Sequence, residues 1–471
     1  MSSADAAWLH MDRPTNFMVV NSVLWFDERM DVERGRAVIR ERLVERFPRF
    51  RQRIVEPRLG VGLPYWEDDP NFDLDRHLHH IALPAPGDRA ALQALVGDLI
   101  STPLDHSKPL WDIYLIDGYG SGMAQVIRMH HSIADGIALA RVLFSMTDEQ
   151  PDAGIIRRAG GRSVRGRLAP VTAPLGAGAH VAGAVMHEGF ELLSHPVSEL
   201  RGLAGATAQD SRALAKLLLT PPEDDNVLRG ELSARQTVTW TDEIAREEVK
   251  SIGRATGTTV NDVLLAAITG ALRRYLIDRH SLVDELRAMV PFNLRPVDQP
   301  LPRELGNRFG LVYLQLPVGI RGHRHRLEEV HRRMDAIKQS PEGAVAYAIL
   351  GVIGLTPAQI ERRLVDVFAS KSTLVLTNVP GPRQPVYFAG TRVAGVIPWV
   401  PAGGAIGLGI SIFSYAEKVT VGVRVDAGVI SDPEAIIDAF EPELERLARL
   451  APSPKPTPRR RRLSGQTRNA V

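Results

Sequence analysis

Two adjacent imidazoles and a carboxylate stand within six residues of one another: His130, His131 and Asp135, with Gly136 closing the pattern His-His-x-x-x-Asp-Gly. Imidazole titrates near neutrality, so it can take a proton and return it within one turnover. That suits a general base acting on a hydroxyl or amine. The residues before the motif, 123–128, alternate as a strand does, and those after it, 137–144, repeat as a helix does. The motif therefore falls on a strand-to-helix turn, where a side chain is rigidly held and still faces a cleft. Asp135 followed by a flexible Gly136 could brace that loop. Two other uses of the same residues stay open. One is a core or solvated histidine pair. The other is a metal site built on His130, His131 and Asp135, for which no further His or carboxylate cluster supplies the rest of a shell.

The elements that must position this turn belong to a long chain. Its 471 residues exceed one ordinary core, so two domains are expected. A hydrophobic share of 44% and a charged share of 24% are those of a globular protein. The formal net charge is +2 and the body of the chain shows no basic face, which argues against a nucleic-acid partner. The absence of cysteine excludes disulfides, thiolate metal sites and a Cys nucleophile, and nothing points to an oxidising compartment. Met1 to Asp5 lacks the basic and apolar regions of a signal peptide. The longest apolar run, 344–355, falls short of the roughly 20 residues a bilayer span needs. The expectation is a cytoplasmic protein, free to sit on a membrane surface.

The first part, 1–149, reads as mixed α/β: a strand over 17–26, helices over 32–47 and 89–100, and a hairpin of 111–116 with 123–129. The motif helix ends near Thr147. Within the stretch 150–235 the composition turns, up to Pro222, to Ala, Gly, Pro and Arg, with leucines (Leu192, Leu193, Leu200, Leu203, Leu214, Leu217, Leu218) in weak helical register. This stretch reads as a helical crossover. The second domain, 236–451, opens with a strand over 237–240. Its clearest helix sets Val260, Val263, Leu264, Ala267, Ile268 and Ala271 on one face, behind a capping box at Thr259 and Asp262. Strands recur over 286–290, 309–316, 372–377, 407–413 and 419–425, and a helix over 433–450 closes the fold. The order is α+β with mixed, mostly antiparallel sheets. The tail, 452–471, is Pro-rich and carries Arg459 to Arg462, a composition that predicts disorder.

The segment His130 to Gly136 resembles the active-site motif of the CoA-dependent acyltransferase superfamily, which includes chloramphenicol acetyltransferase and peptide-synthetase condensation domains. Further motifs resemble the bacterial wax ester synthase/diacylglycerol acyltransferase family: Phe72 to Leu78, Pro109-Leu110-Trp111, Asn261-Asp262, Pro291 to Pro296 before Gly306 to Gly310, and Thr377-Asn378-Val379-Pro380-Gly381. They follow one another in the family's order from about Ala6 to Leu450. One departure is Ser414-Tyr415-Ala416-Glu417, where the family often has Ser-Tyr-x-Gly, so the turn type is open. A second histidine pair, His79-His80, lacks the Asp-Gly and reads as surface.

The resemblance implies two chloramphenicol acetyltransferase-like α/β sandwich domains joined by the crossover, with an active-site channel between them. It implies an O-acyltransferase that joins acyl-CoA to diacylglycerol or a long-chain alcohol, at an inner-membrane or lipid-inclusion surface, with no cofactor and no metal because the thioester is already activated. His131 is then the base and His130 supports the loop. In the superfamily the Asp pairs with an Arg, and Arg295 is the candidate partner of Asp135. Trp111, Asn261, Thr377 and Asn378 are candidate substrate contacts. Three competing classes are a condensation enzyme using carrier-bound acyl groups, a non-catalytic lipid-droplet coat, and a membrane-bound structural protein. Acyl length, acceptor preference and oligomeric state are not readable from the residues.

Overall fold

A computed structural model of the chain describes residues 1–57, 62–155, 208–294, 301–356 and 358–451. The alternation near the N-terminus yields the strand Val19–Phe26. It pairs antiparallel with the motif strand Gly122–His130, placing Val19 opposite His130. On the other side of the motif strand runs Trp111–Tyr119, also antiparallel, with Trp111 opposite Met129. Every residue of the motif strand is buried, so the turn that leaves it starts from a fixed point. The strand Leu78–Ala82 adds a parallel edge. The opposite edge comes from far down the chain: Gly395–Trp399 pairs antiparallel with Val19–Phe26. The region read as a C-terminal domain thus supplies one of the five strands of the first sheet.

The second sheet has the order Phe309–Leu316, Leu286–Asn293, Leu374–Pro380, Leu408–Tyr415, Lys418–Asp426, Gln236–Trp240, with the short Ile244–Ala245 also on Lys418–Asp426. Leu374–Pro380 runs parallel to both neighbours, and the other pairs are antiparallel. The helix Val260–Asp278 forms where its periodicity predicts, with the Thr259–Asp262 capping box closed in both directions. Its apolar face, together with that of Glu434–Ala448, packs on this sheet to make the second core. The hairpin Leu408 to Asp426 turns at Ala416 and Glu417, both at positive φ (48° and 58°). Two such residues in succession define the primed turn that fits a twisted hairpin, here made without glycine.

Several elements exceed the sequence reading. The helix expected over 32–47 is α-helical only over Val32–Ile39 and continues as a π turn, Arg40–Val44. An N-terminal helix, Ser3–His10, is capped by Ser2. The apolar run 344–355 belongs mainly to a helix, Glu342–Ile353, followed by an amphipathic helix, Ala358–Ala369. Of the expected crossover, the helix Ala208–Leu219 is described. Residues 156–207, with Leu192, Leu193, Leu200 and Leu203, lie outside the described residues, as do Arg295 and the tail 452–471.

Candidate active site

His131 sits on the first residue after the motif strand, and its backbone is fixed at both polar atoms. Its N–H donates to the Met18 carbonyl at 2.7 Å. Its own carbonyl accepts from Asn307 Nδ2 at 2.8 Å. The ring is enclosed by aromatic surface, stacked on Trp8 with centroids 4.0 Å apart and tilted against Phe309 at 5.4 Å. Nδ1 is buried without a hydrogen bond. Burial pushes the imidazole down to about pKa 3, and the neighbouring His130 adds to the drop. The His131 backbone and the Asn307 side chain oppose this only in part. The physical cause is desolvation of the charged form, since the aromatic faces replace water around the ring. His131 is therefore neutral near pH 7 and open to receive a proton.

A buried carboxylate stands one layer behind. Asp5, on the N-terminal helix, accepts from both the backbone N–H (2.9 Å) and Nδ2 (2.8 Å) of Asn307. Burial raises the Asp5 pKa, against hydrogen bonds from Ser2 and Asn307. The chain of contacts Asp5, Asn307, His131 carbonyl joins three distant segments and sets the position of the ring.

His130 has the opposite surroundings. The Ser132 N–H donates to its Nδ1 at 3.1 Å, which leaves the ring proton on Nε2. That nitrogen faces Asp12 Oδ2 at 3.3 Å. The same carboxylate meets His106 Nε2 at 3.2 Å and accepts the Met18 N–H at 2.5 Å. Burial alone would raise the Asp12 pKa. The hydrogen bonds from His106 and Met18, with the His130 ring close by, outweigh it and hold the carboxyl well below the usual range. Contact with Asp12 in turn raises the His106 pKa, against burial.

Asp135 caps the helix Gly136–Ser145: its Oδ1 accepts from the Ala138 N–H at 2.8 Å. Its Oδ2 accepts from the Arg308 N–H at 3.1 Å, tying the motif loop to the second half of the chain. The proposed partner Arg295 lies outside the described residues. Gly136 begins the helix with no positive φ among its backbone features. A Cβ there would meet Val400 at 3.6 Å, so the missing side chain leaves space rather than supplying a hinge. That space belongs to an apolar pocket between the two sheets, bounded by Gly136, Leu139, Thr377, Val379, Val400 and Phe413 among others.

The other sequence candidates separate. Thr377 lines the pocket and donates to Ser411 Oγ at 3.1 Å. Asn378, next along the strand, points to the other face. Its Nδ2 donates to Asn261 Oδ1 at 2.6 Å, so those two are brought together, half-buried and away from the pocket lining. Trp111 requires correction as a substrate contact. It has 0% exposure, its Nε1–H is committed to the Phe50 carbonyl at 2.9 Å, and its ring stacks on His77 at 4.5 Å. The Pro-Leu-Trp pattern marks a strand start whose Trp faces the core. His79 and His80 are half-exposed or exposed and face Asp112 and Asp117. Sequence reasoning missed Asp5, Trp8, Asp12 and His106. Asn307 and Phe309 lay within the Gly306 to Gly310 motif, which was the available signal. Among the described residues, no group of three His, Asp or Glu is placed to hold a metal ion.

Residues 1–264 match the model of the wax ester synthase/diacylglycerol acyltransferase catalytic domain, and residues 305–448 that of the WS/DGAT C-terminal domain. A probable diacylglycerol O-acyltransferase of Mycobacterium tuberculosis is 28% identical over 445 residues, covering 88% of each chain. Among solved structures, a wax ester synthase/diacylglycerol acyltransferase from Marinobacter aquaeolei superposes with a TM-score of 0.66 at 24% identity, over 95% of this chain and 98% of that one. The first condensation domain of the calcium-dependent antibiotic synthetase follows at 0.57 and 19%, over 96% and 95%. These likenesses show a shared two-domain α/β fold.

Proposed function

The chain belongs to the wax ester synthase/diacylglycerol acyltransferase family, and on that premise we propose that it transfers a fatty acyl group from acyl-CoA to diacylglycerol or a long-chain alcohol. The observation that carries this reading is the neutral His131, caged by Trp8 and Phe309 on the motif turn whose helix start, Gly136, borders an apolar pocket. The acceptor hydroxyl gives its proton to His131 as its oxygen attacks the thioester carbonyl. With Nδ1 enclosed, Nε2 is the receiving atom. The tetrahedral adduct collapses, the carbon–sulfur bond breaks, and the imidazolium returns the proton to the CoA thiolate. A cage that disfavours imidazolium makes this second transfer fast. A base of this kind contributes about 10²–10⁴-fold, and holding both substrates in one channel supplies orientation.

The pocket between the sheets suits an alkyl chain, since each buried methylene is worth about 0.8 kcal/mol. The reading calls for no cofactor, because the thioester is activated already. Asn261 and Asn378 keep amide atoms for CoA or the reacting carbonyl. No helix among the described residues is long and apolar enough to cross a membrane. Lipid substrates therefore favour peripheral attachment to a membrane or lipid inclusion.

The test is CoA release from palmitoyl-CoA with hexadecanol and diacylglycerol as parallel acceptors. A thiol reagent reads it without background, because the protein has no cysteine. Acceptor-dependent release, with ester recovered from the lipid extract, is the expected result. Release that ignores both acceptors would count against the reading.

A further inference from the structure

Nine large hydrophobic side chains are exposed among the described residues, and six of them fall on three neighbouring helical segments: Leu218, Leu219, Val352, Leu355, Ile360 and Val367. Scattered exposed apolar residues are ordinary, whereas a cluster marks a contact surface. The helix Glu342–Ile353 carries a single charged residue, Glu342, which is buried and paired with Lys216 at 2.6 Å. Its outward positions Ala348 and Val352, with Leu355 just beyond its end, bear no polar group. On Ala358–Ala369, Ile360, Arg363 and Val367 share one face by helical spacing. Both acidic groups of that helix are paired with basic side chains, Glu361 inside and Asp366 at the surface. Glu361 is buried against His10 Nδ1 at 3.0 Å, and Asp366 pairs with Arg13 at 2.8 Å. The exposed charges on it outside these pairs are Arg362 and Arg363, both positive.

From this we infer that the Glu342–Ile353 and Ala358–Ala369 pair is the surface that docks on an anionic lipid bilayer. An apolar face edged with arginine suits shallow insertion at the headgroup boundary. The location supports it. Both helices pack on the N-terminal helix Ser3–His10, whose Trp8 stacks on His131, and the Arg362 Nε–H holds the His10 carbonyl at 3.0 Å. Tyr347, on the first of the pair, donates to the Asn307 carbonyl at 3.2 Å. One helix layer thus separates the docking face from the base, so a lipid acceptor reaches the site from the surface that holds the enzyme. This inference rests on the acyltransferase reading and names the surface that delivers its substrate.

The full-length protein is sedimented with vesicles of phosphatidylcholine, with and without phosphatidylglycerol. V352S/L355S/I360S/V367S, all at exposed positions, should lower partition onto anionic vesicles at least about tenfold. R363E alone should remove the preference for the anionic vesicles. Transfer to vesicle-borne diacylglycerol should fall with binding, while transfer to hexadecanol dispersed in detergent should stay at the wild-type rate. Wild-type binding by the quadruple variant overturns the inference, as does a wild-type protein that does not sediment. A wild-type dimer that the quadruple variant dissociates, with vesicle binding unchanged, reassigns the face to self-association. If neither protein transfers acyl groups in detergent, the acyltransferase reading fails, and the sedimentation result still decides the docking face.

Discussion

The two sides of the motif loop hold adjacent histidines in opposite chemistry. His131 faces aromatic carbon from Trp8 and Phe309, and His130 faces a carboxylate and a hydroxyl. Identical side chains one residue apart thereby meet different surroundings. The apolar side keeps a ring neutral and its proton affinity low. The polar side fixes the loop through Asp12, which gathers His106, His130 and the Met18 N–H on one carboxylate. The desolvated side leaves a ring without its proton near pH 7, and the carboxylate side holds the loop in place.

The largest effect that tests this contrast is on activity. His131→Ala should lower kcat/KM by about 10²–10⁴-fold with the melting temperature near wild type. Activity within tenfold of wild type in folded protein would erase the distinction between the two sides. On the polar side, Asp12→Ala strands buried donors, each costing about 1–3 kcal/mol in urea denaturation. Its loss of kcat should be smaller than that of His131→Ala. A larger loss would make Asp12 part of the chemistry.

The pH dependence separates the two sides by sign. His131 is pushed down to about 3, below its ordinary value, so acid protonates the unfolded chain first. Its contribution is full above pH 6.5 and is lost as pH falls toward 3, about 2 kcal/mol by pH 5. The raised His106 works the other way: its contribution is full below pH 6.5 and lost as pH rises through its folded value. Stability curves should show His131→Gln losing acid sensitivity and His106→Gln losing alkaline sensitivity. The same slope in both variants would refute the assignment. The smallest effect belongs to Asp135→Ala, which removes the cap of the motif helix, about 0.5–2 kcal/mol by thermal or urea unfolding. Asp135→Asn should cost less, because an amide oxygen still accepts from Ala138. A cost of Asp135→Asn equal to the alanine variant would mean that the charge and the bond from the Arg308 N–H, not the cap, matter.

Much of the scaffold was legible because local pattern and burial agreed. Arg89–Ile100 and Val260–Asp278 each bury one periodic stripe, and the helices lie where those stripes predict. The strand Gly395–Trp399 was not legible, since a glycine at its start and a proline next to its end disguise it and its partner lies in the other half of the chain. The motif pointed to His131 as the candidate base and to Asp135 as a brace of its loop, through spacing on a strand-to-helix turn. It could not tell which residues shape their surroundings. Asp5, Trp8 and Asp12 act across long sequence separations, on or beside a short alanine-rich helix with no amphipathic stripe. Trp111 shows the converse limit: a residue type at a strand start does not say which face it turns toward.

The edge strand Gly395–Trp399 has a consequence for how the molecule is made. Synthesis delivers the N-terminus first, so Val19–Phe26 emerges long before the strand that covers it. During that interval its outer row of N–H and C=O groups is open to any neighbouring chain, a state prone to aggregation. Expressing the two halves as separate polypeptides, or exchanging the C-terminal half with that of a relative, should therefore yield insoluble first halves unless residues 395–399 travel with them.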